Sequence, residues 1–217
     1  MANVITLTSE SESIRYLCKK DKRLAKAIAM IGDISYQQYE DGYAFLVHEI
    51  VEQMLSIKAG AKIFARLEDL CARNITASTI NSLSDEQIRS IGTSAAKVSY
   101  IRSLTQAIDS GTLNLAELPK LDDKEIIKAL TSVKGIGNWT AKMYLIFVLD
   151  RQDVLPTEDV AFLQAYEWLY KTTDRSPATI INKCKKWKPY SSIASRYMYR
   201  ALDLGLTKKE FHLFKED

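Results

Sequence analysis

Cysteine, histidine and net charge are all scarce in this chain, and each scarcity removes a class of function. Of 217 residues only three are cysteine, Cys18, Cys71 and Cys184. They are scattered and odd in number, which suits buried or free thiols in a reducing compartment rather than a disulfide framework. The two histidines, His48 and His212, lie far apart, so the ligand spacing of a structural zinc site is missing. No segment approaches the roughly 18 continuous apolar residues of a membrane span. The start, Met1-Ala2-Asn3-Val4, has no charged region followed by a long apolar run. A cytosolic, soluble chain with no membrane partner is expected. The net charge is only +3, so grip on a polyanion must come from local cations and backbone dipoles, not from a globally basic field.

Alternating strand pattern, internal repeats and long linkers are also missing. What remains is helix after helix, with 47% hydrophobic and 26% charged residues, enough for an ample core. Start and stop signals recur. Asp21 precedes Lys22–Ile31, with Gly32 after it, and Asp41 precedes an apolar-periodic stretch to about Ile57. Ser84-Asp85-Glu86-Gln87 is a capping box before Ile88–Ile91, and Gly92 is its stop. A long helix runs through Lys97, Ile101, Leu104 and Ile108 to Gly111, and Asp122-Asp123-Lys124-Glu125 caps the next. Ser176-Pro177 places proline at a first helical position, and Pro189 precedes a last long helix, Tyr190 to Leu204. The reading is all-α, with about ten helices and no sheet of consequence.

The most informative stretch is Leu130 to Asp159. One helix ends in Val133-Lys134-Gly135-Ile136-Gly137, and another opens at once with Asn138-Trp139-Thr140-Ala141. Glycine tolerates positive φ, so two glycines around one apolar residue permit a tight hairpin. Such a hairpin aims backbone N–H groups and a helix N-terminus at one point, which suits a phosphate. About twenty residues on, Val154-Leu155-Pro156-Thr157-Glu158-Asp159 places an acid at the start of a further helix.

In these motifs the chain resembles the helix-hairpin-helix DNA glycosylases, and within them the 3-methyladenine-DNA glycosylase II (alkylation-repair) branch. The likeness extends to Asp21-Lys22-Arg23-Leu24-Ala25, to Ile50 through Ala59, to Lys97 through Arg102 and to Trp187-Lys188-Pro189-Tyr190. It spans nearly the whole chain, in the compact form without the N-terminal β domain of larger relatives. The resemblance implies one catalytic unit over residues 1–217 made of two packed helical lobes, with the active site in the cleft. One lobe would run from about residue 36 to 150 and hold the hairpin at 133–137; the other would combine 1–35 with 151–217. Some relatives bind an iron–sulfur cluster on four closely spaced cysteines; that spacing is missing, so no cluster and no required cofactor is expected.

The resemblance also implies roles. Asp159 holds the position of the catalytic carboxylate, where an anion stabilises oxocarbenium character on the sugar and helps orient or deprotonate water. The commonest job of an acid at a helix start is to cap it. Glu158 is the reserve candidate. Trp139 stands two residues beyond Gly137, where bifunctional relatives carry a Schiff-base lysine; tryptophan cannot be that nucleophile, so water attacks and an abasic site results. Trp139, Met143 and Tyr199 would line the base pocket, because an aromatic wall attracts the cationic charge of 3-methyladenine or 7-methylguanine; ordinary core packing is the alternative. Lys134, Gly135, Gly137 and Thr140 would meet one phosphate, and Ser94 and Lys97 a second. The carbonyls of Val133 and Gly135 would hold a Na+ or K+ ion.

Met54 and Leu55 sit where the family inserts a wedge into the base stack, although both are also readable as core. Here the chain departs from its relatives: paired glutamines are replaced by Gln53-Met54 after an acidic Glu52, and Ser191 stands where arginine is common. The implied partner is double-stranded DNA containing alkylated bases, and the implied state a monomer. The location would be the bacterial cytoplasm at the nucleoid, or a eukaryotic nucleus. A glycosylase with different lesion specificity, a non-catalytic helix-hairpin-helix DNA-binding protein and an all-helical interaction scaffold are the competing readings.

Overall fold

The computed structural model describes residues 4–214, so the reading of the start at Met1 to Asn3 lies outside the described residues. In chain order the elements are β1 (Val4–Leu7), α1 (Glu12–Lys20), α2 (Lys22–Ile31), β2 (Ile34–Gln37), α3 (Gly42–Glu52) and α4 (Ile57–Leu70). Then come α5 (Ala77–Asn81), α6 (Asp85–Ser90), α7 (Ala95–Asp109), α8 (Asp123–Thr131) and α9 (Asn138–Phe147). The last are α10 (Val160–Tyr170), α11 (Pro177–Cys184) and α12 (Ser191–Asp203). Among the described residues none of these helices is long and apolar enough to cross a membrane.

The chain divides into two compact units, Met1–Gln38 with Asp150–Asp217, and Tyr39–Leu149. In the first, α10 and α12 pack together and α2 lies against both. Leu17, Leu24, Phe162, Tyr166, Trp187 and Tyr197 form its fully buried centre. Asp21 is the polar pivot of this core at 2% exposure. Its Oδ1 accepts the N–H groups of Arg23 (3.0 Å) and Leu24 (3.3 Å) and so caps α2. Its Oδ2 accepts Tyr170 Oη–H and Trp187 Nε1–H, the latter at 3.0 Å, and pairs with Lys186 Nζ at 3.1 Å. Buried charge is tolerable only when its lone pairs are filled in this way. Burial pushes the carboxyl's pKa up, but the hydrogen bonds from Tyr170, Trp187 and Lys186 outweigh it and hold the pKa below its ordinary value.

In the second unit α3 buries Tyr43, Leu46, Val47, Ile50 and Val51 along one face and Phe45 on the other side. Tyr43 Oη and Thr105 Oγ1, both buried, lie 2.6 Å apart and tie α3 to α7. α4 packs on α3, and α8 on α9. The capping boxes at Ser84–Gln87 and Asp122–Glu125 both form.

As expected for a chain with no sheet of consequence, the described residues hold only a small antiparallel ribbon, β1 against β2 in the register Val4 with Gln37 through Leu7 with Ile34; its four-residue strands are too short for alternation to register as a signal. Two expectations need correction. The helix expected from Asp41 to about Ile57 stops at Glu52. It breaks because Ser56 starts a new helix, its Oγ accepting Ala59 N–H at 3.3 Å. Ser176 precedes Pro177 as expected, but its side chain makes no capping hydrogen bond.

Asp21→Ala should cost about 3 kcal/mol of stability, since it strands Tyr170, Trp187 and Lys186 as well as uncapping α2. Because the folded pKa is depressed, this contribution is present above the unfolded value and disappears as pH falls through the folded one. Urea unfolding of wild type and variant at pH 7 and in the acid range checks both statements.

Candidate nucleic-acid interface and active site

The hairpin begins where α8 runs out. Ile136 N–H closes onto Val133 O at 3.1 Å, burying Val133 and Ile136 and turning the chain toward α9. Gly135 adopts φ +94°, and a Cβ there would lie 2.2 Å from Tyr100 Cγ. Both conformation and packing therefore demand glycine. Gly137 differs: its φ is −98° and ψ 178°, an ordinary extended backbone, and a Cβ would meet nothing within 4 Å. The expectation that both glycines serve positive φ is corrected; only Gly135 does.

Gly137 is the N-cap of α9, and no side chain caps that helix. Elsewhere in the same unit Asp41, Ser56, Thr76, Ser84, Ser94 and Asp122 each cap a helix with a side-chain oxygen. An α-helix start bare of a capping side chain carries partial positive charge and outward N–H groups.

In the other unit, Asp159 is the N-cap of α10; its Oδ1 accepts Phe162 N–H at 2.7 Å. It is 8% exposed, whereas Glu158 is exposed. Capping occupies one oxygen of a group with about four acceptor positions, so it does not exhaust the carboxylate. The loop leading to Asp159 is fastened to α12. Ser192 N–H donates to Gln152 O (2.9 Å), and Ser192 Oγ accepts Val154 N–H (2.9 Å). Ser191 Oγ–H donates to Asp153, which also pairs with Lys188 Nζ at 3.0 Å. Arg196 reaches Asp150 at 3.2 Å with its guanidinium 3.6 Å from the centre of the Tyr36 ring. Asp153 thus takes a cation from Lys188 and a hydroxyl from Ser191.

Between α3 and α4, Met54 has φ +58° and is fully exposed at 102%, with Leu55 partly so. The alternative that Met54 is a core residue is excluded. Glu52, an acid whose charge would repel a phosphate if it faced one, pairs with His48 Nε2 at 3.4 Å. Gly60 leaves it room, since a Cβ there would stand 2.9 Å from the Glu52 carboxylate.

A profile described as HhH-GPD superfamily base excision DNA repair protein matches residues 47–189. The chain belongs to the HhH-GPD superfamily. It is 28% identical to DNA-3-methyladenine glycosylase 1 of Schizosaccharomyces pombe, over 93% of this chain and 90% of that protein. The crystal structure of a DNA-3-methyladenine glycosidase from Bacillus halodurans is 32% identical and covers 96% of this chain and 97% of its own, with a TM-score of 0.85. The fold is also that of a Schizosaccharomyces pombe 3-methyladenine DNA glycosylase in complex with abasic DNA, at a TM-score of 0.81 and 24% identity over 95% of this chain and 100% of that one.

Within this HhH-GPD chain the remaining expected residues are distributed as follows. Trp139 and Met143 lie one turn apart on α9, the first half-buried and the second buried; Tyr199 lies on α12 of the other unit, half-buried. Thr140 is 1% exposed, so its side chain is not available at the surface and only its backbone N–H, at the third position of α9, remains for an anion. Lys134 Nζ donates to Ser99 Oγ at 3.2 Å from an exposed position. Ser94 caps α7 by accepting Lys97 N–H at 3.2 Å. Lys97 Nζ donates to Val51 O at 2.8 Å and Gln53 O at 2.7 Å, where a phosphate contact was expected. Gly135 O accepts Gln53 Nε2–H at 2.9 Å. In the sequence Gln53 and Tyr100 stand only as parts of motifs, without these roles; the available signal was Lys97 and Tyr100 at i, i+3, which share a helix face.

The two hairpin glycines should behave oppositely. Gly135→Ala should cost about 3 kcal/mol through positive φ and overpacking against Tyr100, while Gly137→Ala should stay within about 0.5 kcal/mol of wild type. Thermal and urea unfolding of the two variants measure the contrast.

Proposed function

We propose that this chain is a monofunctional DNA glycosylase that acts as a monomer on double-stranded DNA, flips out an alkylated purine and hydrolyses its N-glycosidic bond. The observation that carries the DNA-binding part is Gly137. Neither its φ nor its surroundings inside the protein require glycine, so the missing side chain serves whatever approaches from outside. What approaches meets an uncapped helix start, and a phosphate of the DNA backbone has the charge and acceptor oxygens for it. A Na+ or K+ ion fits the same turn: Val133 O and Gly135 O each accept one hydrogen bond and each has a second lone pair. Bound there, it would add positive charge beside the phosphate.

The chemistry follows from the substrate. An N-alkylated purine such as 3-methyladenine or 7-methylguanine carries a formal positive charge and leaves with the bonding electron pair as a neutral base. No dedicated general acid is needed. The charge that develops on the deoxyribose is met by the Asp159 carboxylate. Water then bonds to the sugar carbon, and its proton passes to Asp159 or solvent. Trp139 offers an electron-rich face to the cationic base, with Met143 and Tyr199 in the same pocket role, which favours the alkylated purine over a neutral one. Because Trp139 stands in place of a nucleophilic lysine, the product is an abasic site on an intact strand. Met54 is the wedge that fills the space left in the stack.

Asp159→Asn should retain the fold and duplex affinity yet lower single-turnover base release by about a thousand-fold or more, the scale of losing a central electrostatic stabiliser. Release at near wild-type rate would remove Asp159 from the mechanism. On a labelled duplex with one excisable lesion, strand breaks should appear only after alkali, and borohydride should trap no protein–DNA adduct; a trapped adduct would overturn the monofunctional assignment.

A further inference from the structure

Met54 lacks internal support. Its side chain is fully exposed and its φ of +58° is one that side chains other than glycine adopt at a cost. Something outside the residue must hold the turn, and the ties converge on its neighbour Gln53. Gln53 O accepts Lys97 Nζ–H at 2.7 Å, and Gln53 Nε2 donates to Gly135 O at 2.9 Å. The second bond of Lys97, to Val51 O at 2.8 Å, collects another carbonyl at the end of α3, where helix carbonyls have run out of intrahelical partners. An ammonium suits the negative end of that helix.

Lys97 is itself set in place. Its N–H is capped by Ser94, and Tyr100, one turn along α7, is the ring that packs on Gly135. Glu52, the nearest competing anion on this stretch, is engaged by His48 and accommodated by Gly60. Burial lowers the pKa of Lys97, with Glu52 acting in the opposite sense, as fits an ammonium turned toward carbonyls rather than water. The first two turns of α7 thus link the Met54 turn to the hairpin through Lys97, Gln53, Gly135 and Tyr100.

We propose that Lys97 is a positioning residue for the Met54 wedge: its ammonium, occupied by the carbonyls of Val51 and Gln53, holds the turn from which Met54 projects, and so it acts on nucleotide extrusion rather than on phosphate attraction. This rests on the reading of Met54 as the wedge of a glycosylase. The two roles for Lys97 make opposite predictions. A lysine on phosphate, once removed, weakens binding to every duplex and reduces the slope of log affinity against log salt by about 0.9. A positioning lysine leaves both nearly unchanged and impairs the step that needs the wedge.

The experiment compares wild type, Lys97→Met, Lys97→Arg, Met54→Ala and the double variant Lys97→Met/Met54→Ala. Three quantities are read: affinity for undamaged duplex over a salt series, fluorescence of 2-aminopurine placed at the target position, and single-turnover release of methylated bases. Lys97→Met should keep duplex affinity and salt slope while lowering 2-aminopurine brightening and base release by about ten-fold, the size of losing charge-assisted hydrogen bonds. Lys97→Arg, which can still donate to both carbonyls, should recover most of the loss. In the Met54→Ala background Lys97→Met should add little, because coupled residues are non-additive. A reduced salt slope, or a full multiplicative loss in that background, would overturn the proposal. Should Lys97→Met fail to fold, Gln53→Ala removes the tie to Gly135 without touching a cation; it must then give the same extrusion defect at unchanged salt slope, and normal extrusion counts against the proposal. A wild-type-like Met54→Ala would sink the wedge reading itself, whereas absent base release by wild type would sink the glycosylase reading.

Discussion

The contact between Tyr100 and Gly135 is the constraint on which the unit Tyr39–Leu149 depends. A ring lying where a Cβ would stand, 2.2 Å from Tyr100 Cγ, allows one residue type only, and the positive φ that results turns α8 into α9 within a few residues. The turn leaves the start of α9 without a capping side chain and gives Gln53 a carbonyl to grip. The uncapped start of α9 and the tie from Gln53 beside the Met54 turn therefore come from the same close approach. Loss of the glycine at 135 removes a fold element; loss at 137 changes only what the surface admits.

The other unit holds the Asp159 carboxylate at low exposure at the start of α10. Asp159 is oriented by the backbone N–H of Phe162, and the loop before it is fixed by the hydrogen bond that Ser191 donates to Asp153, by the one that Ser192 Oγ accepts from Val154 N–H, and by the Arg196–Asp150 pair. Asp21, by contrast, is a buried acid whose lone pairs are filled by Tyr170, Trp187, Lys186 and two backbone N–H groups. Both are N-caps. Asp21 is held by three side chains, whereas the chemical role proposed for Asp159 rests on its place at the start of α10.

How much of this could be read from residues alone depends on whether the determinant was local. Helix starts at Asp21, Asp41, Ser84 and Asp122 were legible because a cap is a short-range hydrogen bond with a fixed offset. The helix–hairpin–helix was legible because glycine spacing is a backbone signal. The break at Gln53 to Ser56 was not, since the apolar pattern continues through it and Met54 carries no mark of its positive φ. Lys97 looked like a surface cation because its carbonyl partners are more than forty positions away in sequence. Gly137 looked like a second conformational glycine, and its φ in the folded chain together with the open space around it separates the two. The ribbon of β1 and β2 is a long-range pairing of four-residue strands, too brief to leave a periodic pattern.

The most direct measurement is chromatography of the bases set free when the protein is incubated with methylated duplex DNA. The expected result is free 3-methyladenine and 7-methylguanine, each released base matched by one abasic site in the polymer. Duplex DNA that is bound with good affinity but yields no free base would contradict hydrolysis of the sugar–base bond and leave a DNA-binding protein without the chemistry assigned to Asp159.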